Sequence, residues 1–225
     1  MLANIPFIAR PYIDSSRAFI RPTGVFIYPV SKMGSPVQVK FTENKWSGSI
    51  AGLDRIPDGF VAENIDELLD APILVGDLEE LKSFEVKGKP HYFFGRDMGE
   101  FDKDRFIKDV EKIVTYTVEL MQDIPYKHYS FIAIGRGNGG IEQTNSTAIS
   151  FNGNGLNTEG GRQRMLNFIT HEYFHHYNIK RIRPIELGPF DYNAENRTNM
   201  LWVGEGLSVY YEAIIMNRAG IISSA

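Results

Sequence analysis

The chain has 225 residues and not one cysteine, which excludes disulfides and thiolate metal ligands. It has no run of about 18 apolar residues, so no segment reads as a membrane-spanning helix. Residues 1–30 lack the basic-then-apolar pattern of a secretory signal, and neither repeats nor low-complexity tracts occur. Excess positive charge is also missing. A net charge of −4 and a pI near 5.8 argue against nucleic acid or an anionic membrane surface as a partner. What remains is an ordinary globular composition, 43% hydrophobic and 23% charged, enough for one large core or two small ones. Histidine is scarce, five in all, so the positions of the histidines carry weight.

Two of the five stand in His171-Glu172-Tyr173-Phe174-His175, an H-E-x-x-H. On a helix, positions i and i+4 put both imidazoles on one face, with Glu172 one step around the turn. The preceding stretch, residues 162–170, has no Pro or Gly, and Met165, Phe168, Ile169 and Tyr173 recur at helical spacing. Gly160-Gly161 and Pro184 are expected to punctuate this helix at its two ends. A helix so apolar needs a reason to bury His-Glu-x-x-His, and metal ligation supplies one. Thirty residues past His175 stands Glu205, in a second helical stretch from Asn199 to Arg218 that also reads as buried and closes at Gly220. Gly204 and Gly206 flank the carboxylate and permit close helix approach. Two nitrogens and one carboxylate oxygen around Zn²⁺, with a fourth position for water, form a hydrolytic zinc site. Glu212, seven residues further on the same face, is a candidate to orient a ligand imidazole.

The run His-Glu-Tyr-Phe-His-His-Tyr-Asn-Ile-Lys-Arg-Ile-Arg-Pro at 171–184, Gly-Pro-Phe-Asp-Tyr at 188–192, Glu195-Asn196-x-Thr198 and Leu-Trp-x-x-Glu-Gly at 201–206 resemble the glycyl aminopeptidase family of zinc metallopeptidases. That family belongs to the gluzincin group, which has a thermolysin-like catalytic core. The resemblance covers at least residues 130–215, with a weaker likeness around residues 64–68. It implies His171, His175 and Glu205 as zinc ligands, Glu172 as general base and Zn²⁺ as cofactor. It also implies a substrate with a small N-terminal residue such as Gly or Ala. Family members are longer, often with a PDZ-like domain following, so the chain is expected to be part of a longer protein, without the downstream Tyr or His that steadies the oxyanion.

The expected fold class is α+β, with a β-rich part at 1–75 and a thermolysin-like metallopeptidase part at 76–225. Short strands are expected at 18–20, 24–30 and 37–41. Asn64 and Glu67 form a capping-box-like helix start before Pro72. Residues 84–94 read as a strand pair around a turn. Residues 102–122 read as a helix with Phe106, Val110, Ile113, Thr117 and Leu120 on one face, and 129–134 as a strand. The loop Gly135-Arg136-Gly137-Asn138-Gly139-Gly140 spells G-x-G-x-x-G after a strand, the pattern of a dinucleotide site. Such a site needs a helix to open at the loop, whereas residues 141–151 alternate and carry β-branched side chains like a strand.

That strand is expected at a sheet edge, where an extended peptide can add to it by main-chain hydrogen bonds. Gly139-Gly140-Ile141-Glu142 resembles the family's Gly-Gly-hydrophobic-Glu motif, which makes Glu142 the partner of a substrate's free α-ammonium. The family usually has His next. Here Gln143 keeps hydrogen-bonding capacity but cannot act as a cationic acid. Lys180, Arg181 and Arg183 read as a solvated cationic helix end, His91 and His128 as partly exposed, and His176 as pointing away from its neighbour. The function expected is zinc-dependent removal of small N-terminal residues from peptides. A gluzincin endopeptidase and a catalytically weak zinc-containing peptide-binding module are the alternatives.

Overall fold

The computed structural model describes residues 8, 10–42 and 46–223. The first third contains β1 (Tyr12–Ile13), β2 (Arg17–Ile20), the short helix α1 (Pro22–Val25), β3 (Val37–Lys40), β4 (Gly48–Ile50), β5 (Asp54–Ile56), β6 (Gly59–Ala62), helix α2 (Ile65–Leu69) and β7 (Ile73–Gly76). Two antiparallel sheets result, in the orders β1-β2-β7-β4 and β3-β6-β5. The Asn64 carboxamide accepts from the Glu67 amide at 2.8 Å and caps α2, as its sequence signature predicts. The strand expected at 24–30 does not form. Pro22 starts α1, a 3₁₀ turn follows at Val30–Lys32, and Ile27 and Val30 lie in solvent.

The remainder contains β8 (Glu79–Glu80), β9 (Phe84–Val86), β10 (Lys89–Gly95), helix α3 (Lys103–Met121), β11 (Tyr129–Ala133), β12 (Gly140–Glu142), β13 (Ser146–Ile149), and helices α4 (Glu159–Phe174) and α5 (Leu201–Arg218). These strands form one sheet, ordered β12-β13-β11-β10-β8 with β9 also paired to β10. Strands β10, β11 and β13 run parallel, and β12 is an antiparallel edge. Strand β11 is buried on both faces, as a central parallel strand must be. Tyr129, Phe131 and Ala133 face a core shared with α3, α4 and α5. Ile132 faces Phe19, Ile50 and Leu74 of the N-terminal sheet.

Helix α3 starts at Asp102, whose carboxylate accepts from the Arg105 amide at 2.9 Å, and ends at Gln122 with φ +54°. Its buried face comprises Phe106, Ile107, Asp109, Val110, Ile113, Val114, Thr117 and Val118. Leu120 falls outside that arc and is exposed.

Residues 141–151 are a hairpin rather than one strand. The Gln143 amide donates to the Ser146 carbonyl at 2.9 Å, and the intervening Thr144-Asn145 suits a tight turn. No helix opens at the glycine loop, so the dinucleotide reading falls away.

Helix α4 includes Gly160 and Gly161 in its first turn, because the Thr158 hydroxyl caps the Gly161 amide at 3.1 Å. It ends at Phe174, well before Pro184. The chain then folds back, with the Ile182 amide on the Tyr177 carbonyl at 2.8 Å and Ile179 at φ +108°. Lys180 and Arg181 are therefore not a solvated helix end. Arg181 donates to the carbonyls of Pro125, Thr144 and His176, and Lys180 pairs with Asp70. His91 is likewise buried, stacked on Phe84 and hydrogen-bonded to the Tyr126 hydroxyl at 2.7 Å. Burial pushes its pKa down to about 4. Helix α5 is buried along one side only. Leu201, Trp202, Leu207, Val209 and Tyr210 face outward.

Candidate active site

The last turn of helix α4 and its C-cap present His171 and His175 one turn apart, and α5 brings Glu205 across to them. The two Nε2 atoms lie 2.9 Å apart, and Glu205 Oε2 is 3.3 Å from the first and 3.6 Å from the second. The hydrogen bonds on the far sides of the rings decide what those nitrogens offer. His171 Nδ1 donates to Glu212 Oε2 at 2.7 Å, and Asn167 Nδ2 holds the other oxygen of that carboxylate at 2.8 Å. His175 Nδ1 donates to the Asn178 carbonyl at 3.1 Å, with the Ser208 hydroxyl equally close. An ionised carboxylate and a carbonyl only accept, so each Nδ1 carries the proton and each Nε2 points a lone pair at the other. Two lone pairs and a carboxylate in mutual contact repel unless a cation lies among them. The donor set fits Zn²⁺ with one coordination position open.

The chain around Asn178 ties the two helices together. Its Nδ2 donates to the Gly204 carbonyl at 2.7 Å and to Ser208 Oγ at 3.1 Å. A Cβ on Gly204 would meet Ile179 Cδ1 at 2.5 Å, so Gly204 is required by close approach. Nothing lies within 4 Å of the corresponding position on Gly206, which therefore plays no part in helix approach. Ile179 holds a left-handed φ that a β-branched residue adopts only when its surroundings enforce it. Here its side chain fills the notch of Gly204, next to Glu205.

Glu172 is 6% exposed, and its Oε2 has no hydrogen-bond partner among the described residues. Burial, reinforced by the charges of Glu142, Glu205 and Glu212, raises its pKa to about 8. Its carboxyl group lies against the edge strand, where a Cβ on Gly140 would come within 2.6 Å of it. Gly140 therefore makes room for the carboxylate. Gly139, at φ +87°, turns the loop into the strand, and its carbonyl accepts from the Ser150 amide at 3.0 Å. Glu142 sits at the far end of β12 with no hydrogen bond or ion pair among the described residues. It borders a cavity of about 430 Å³. Gln143 is buried, with its carboxamide oxygen 3.4 Å from Ser146 Oγ and its Nε2 without a partner among the described residues. His176 is sealed between Tyr129 and Tyr173, away from the cluster.

Asn167, Asn178 and Ser208 escaped the sequence reading although their spacing was a usable signal. Asn167 is i−4 from His171, and Ser208 is i+3 from Glu205 on the same helix.

Two family models match the chain: the M61 peptidase N-terminal domain over residues 2–77 and the M61 glycyl aminopeptidase over 164–225. Among solved structures, an aminopeptidase N family protein from Idiomarina loihiensis is similar over 95% of this chain, at 27% identity and a TM-score of 0.86. Legionella pneumophila aminopeptidase A, solved in complex with aspartic acid, matches over 92% of the chain at 13% identity and a TM-score of 0.57, a likeness of fold. The chain spans 39% of the Idiomarina protein and 26% of the Legionella one. No curated protein matches. Both family models thus match a chain in which His171, His175 and Glu205 converge, and the chain belongs to the M61 glycyl aminopeptidase family.

Proposed function

We propose that the chain carries the catalytic centre of a zinc-dependent aminopeptidase, with residues 76–225 as the metallopeptidase part and 1–75 as its β-rich companion. The single observation behind this reading is the meeting of two Nε2 lone pairs and the Glu205 carboxylate beside an unpartnered, buried Glu172. Zn²⁺ at that point supplies a Lewis acid for the scissile carbonyl and for a water, and its charge opposes the carboxylates that raise Glu172.

Glu172 accepts a proton from the attacking water and delivers it to the leaving amine nitrogen. The edge of β12, unpaired among the described residues, receives the extended substrate, and Gly140 leaves room for Glu172 beside that edge. Glu142 takes the free α-ammonium, which restricts cleavage to the first peptide bond. Glycine and alanine need nothing beyond this contact.

The test is a comparison of the chain with Glu172→Gln. Both are expected to bind one zinc per chain by elemental analysis, while the variant loses about 10²–10⁴-fold in turnover of an alanyl anilide. Equal turnover would refute the role of Glu172. Equal cleavage of an N-acetylated substrate would instead favour an endopeptidase.

A further inference from the structure

The cavity beyond Glu142 is wider than a glycyl or alanyl residue requires, about 430 Å³, and it is lined on the N-terminal side by Arg21. Leu69, Phe190 and Ile141 supply apolar wall, and Asp70 and Lys180 supply charge. These charges are unevenly committed. Asp70 holds Lys180 with one oxygen and the Thr144 amide, at 2.7 Å, with the other. Lys180 is 11% exposed and has its counter-ion in Asp70. The Tyr192 hydroxyl donates to Asp66. Asp191 is exposed, and one of its oxygens accepts from the Asn193 amide at 2.9 Å. Arg21 differs. Among the described residues its guanidinium donates no hydrogen bond and forms no ion pair, although it is half-buried. The negative charges that act on it are Asp70 and Glu142.

Substrate binding changes that balance. Once an α-ammonium neutralises Glu142, with Asp70 already neutralised by Lys180, Arg21 is left as an uncompensated cation in a partly enclosed pocket. A planar five-donor guanidinium in that state is matched by a carboxylate. We propose that Arg21 is a specificity residue of this cleft, receiving the side-chain carboxylate of a substrate whose first residue is aspartate or glutamate. This rests on the aminopeptidase reading and on Glu142 as the amine site. It extends the range of first residues from small ones held by their amine alone to acidic ones held at both ends.

The test uses the zinc-loaded Glu172→Gln chain, whose turnover is too slow to consume the peptide during a titration, and titrates it calorimetrically with Glu-Gly, Gln-Gly, Ala-Gly and N-acetyl-Glu-Gly. Glu-Gly is expected to bind about tenfold or more tighter than its neutral isostere Gln-Gly. Adding Arg21→Gln should bring the Glu-to-Gln ratio to about one, and adding Arg21→Lys should preserve a preference for Glu. Retention of that preference in the lysine variant separates loss of charge from loss of fold. Equal affinity for Glu-Gly and Gln-Gly, with the free amine still required, would overturn the Arg21 assignment and leave the aminopeptidase reading standing. A Glu preference that depends on Arg21 but survives N-acetylation would keep Arg21 and overturn Glu142 as the amine site. Absence of any peptide binding would overturn the proposal.

Discussion

Two helices build one metal site and do so under opposite conditions. Helix α4 is sunk between the large sheet and α3, and it delivers Glu172 at 6% exposure and, at its C-cap, His175 at 3%. Helix α5 packs one side only. It delivers Glu205 with its side chain 61% exposed, next to Trp202 at 72%. The imidazoles are held from behind by a carboxylate and a carbonyl, whereas among the described residues no hydrogen bond to the Glu205 carboxylate lies outside the cluster itself. The buried helix thus pre-sets direction, and the exposed one contributes a ligand able to adjust.

The largest effects should come from removing a ligand on each side of that divide. His175→Ala and Glu205→Ala are both expected to lose zinc, but their metal-free stabilities should separate. Deleting the buried imidazole leaves a void and strips Asn178 and Ser208 of a partner, costing about 2–4 kcal/mol. Deleting the exposed carboxylate should change the metal-free protein by less than about 0.5 kcal/mol. Urea unfolding in the presence of chelator measures both. Equal losses would break the contrast.

A second effect crosses the divide. Glu212 belongs to α5, yet it lies at 14% side-chain exposure and fixes His171 of α4. Glu212→Gln weakens its hold on the Nδ1 proton and should lower zinc affinity about 10–100-fold, with Ala at 212 no better. Competition against a chelating dye reads this directly. An unchanged affinity would mean that packing alone aims His171.

Glu172 supplies a pH test of how buried the α4 side is. In the metal-free fold its pKa lies near 8, above the ordinary glutamate value of 4.5. Between those values the folded state holds a proton that the unfolded chain has lost. The associated stability is therefore complete below about pH 4.5 and disappears as the pH rises to 8. Calorimetric Tm of chelator-treated protein should fall across this window, and the Glu172→Gln variant should show a flatter profile. Parallel profiles would place the carboxyl in water.

The two helices also differ in how well the sequence announced them. The H-E-x-x-H, the distant Glu205 and the orienting Glu212 were all legible, because helical spacing is a strict geometric rule and polar residues on an apolar helix need partners. The strand pair at 84–94, the helix over 102–122 and the edge position of Gly140–Glu142 followed from periodicity in the same way. What did not follow were properties set by partners distant in sequence. The half-exposure of α5 is invisible in a chain segment apolar on every side. The burial of His91 depends on Phe84 and Tyr126, and the ordering of Arg181 depends on carbonyls at 125, 144 and 176. Arg21 meets Glu142 in one cavity across more than a hundred residues, with no local pattern to mark it.

The smallest effects test the two faces of α5 against each other, with one substitution made twice. At Gly204 an added methyl group meets Ile179 at 2.5 and 2.8 Å, and Ile179 is already held at φ +108° with little freedom to retreat. Gly204→Ala should therefore cost about 1–3 kcal/mol and tilt the turn that carries Glu205, so zinc affinity falls with stability. At Gly206 the same methyl enters open solvent and removes only the backbone entropy that glycine brings to a helix. Gly206→Ala should stabilise the protein by about 0.5–1 kcal/mol and leave zinc affinity where it was. Opposite signs at positions two residues apart would show that the inner face of α5 is a fitted surface and the outer one is not. Matching signs would mean that Ile179 yields, and that the strained segment after His175 does not hold Glu205 in place.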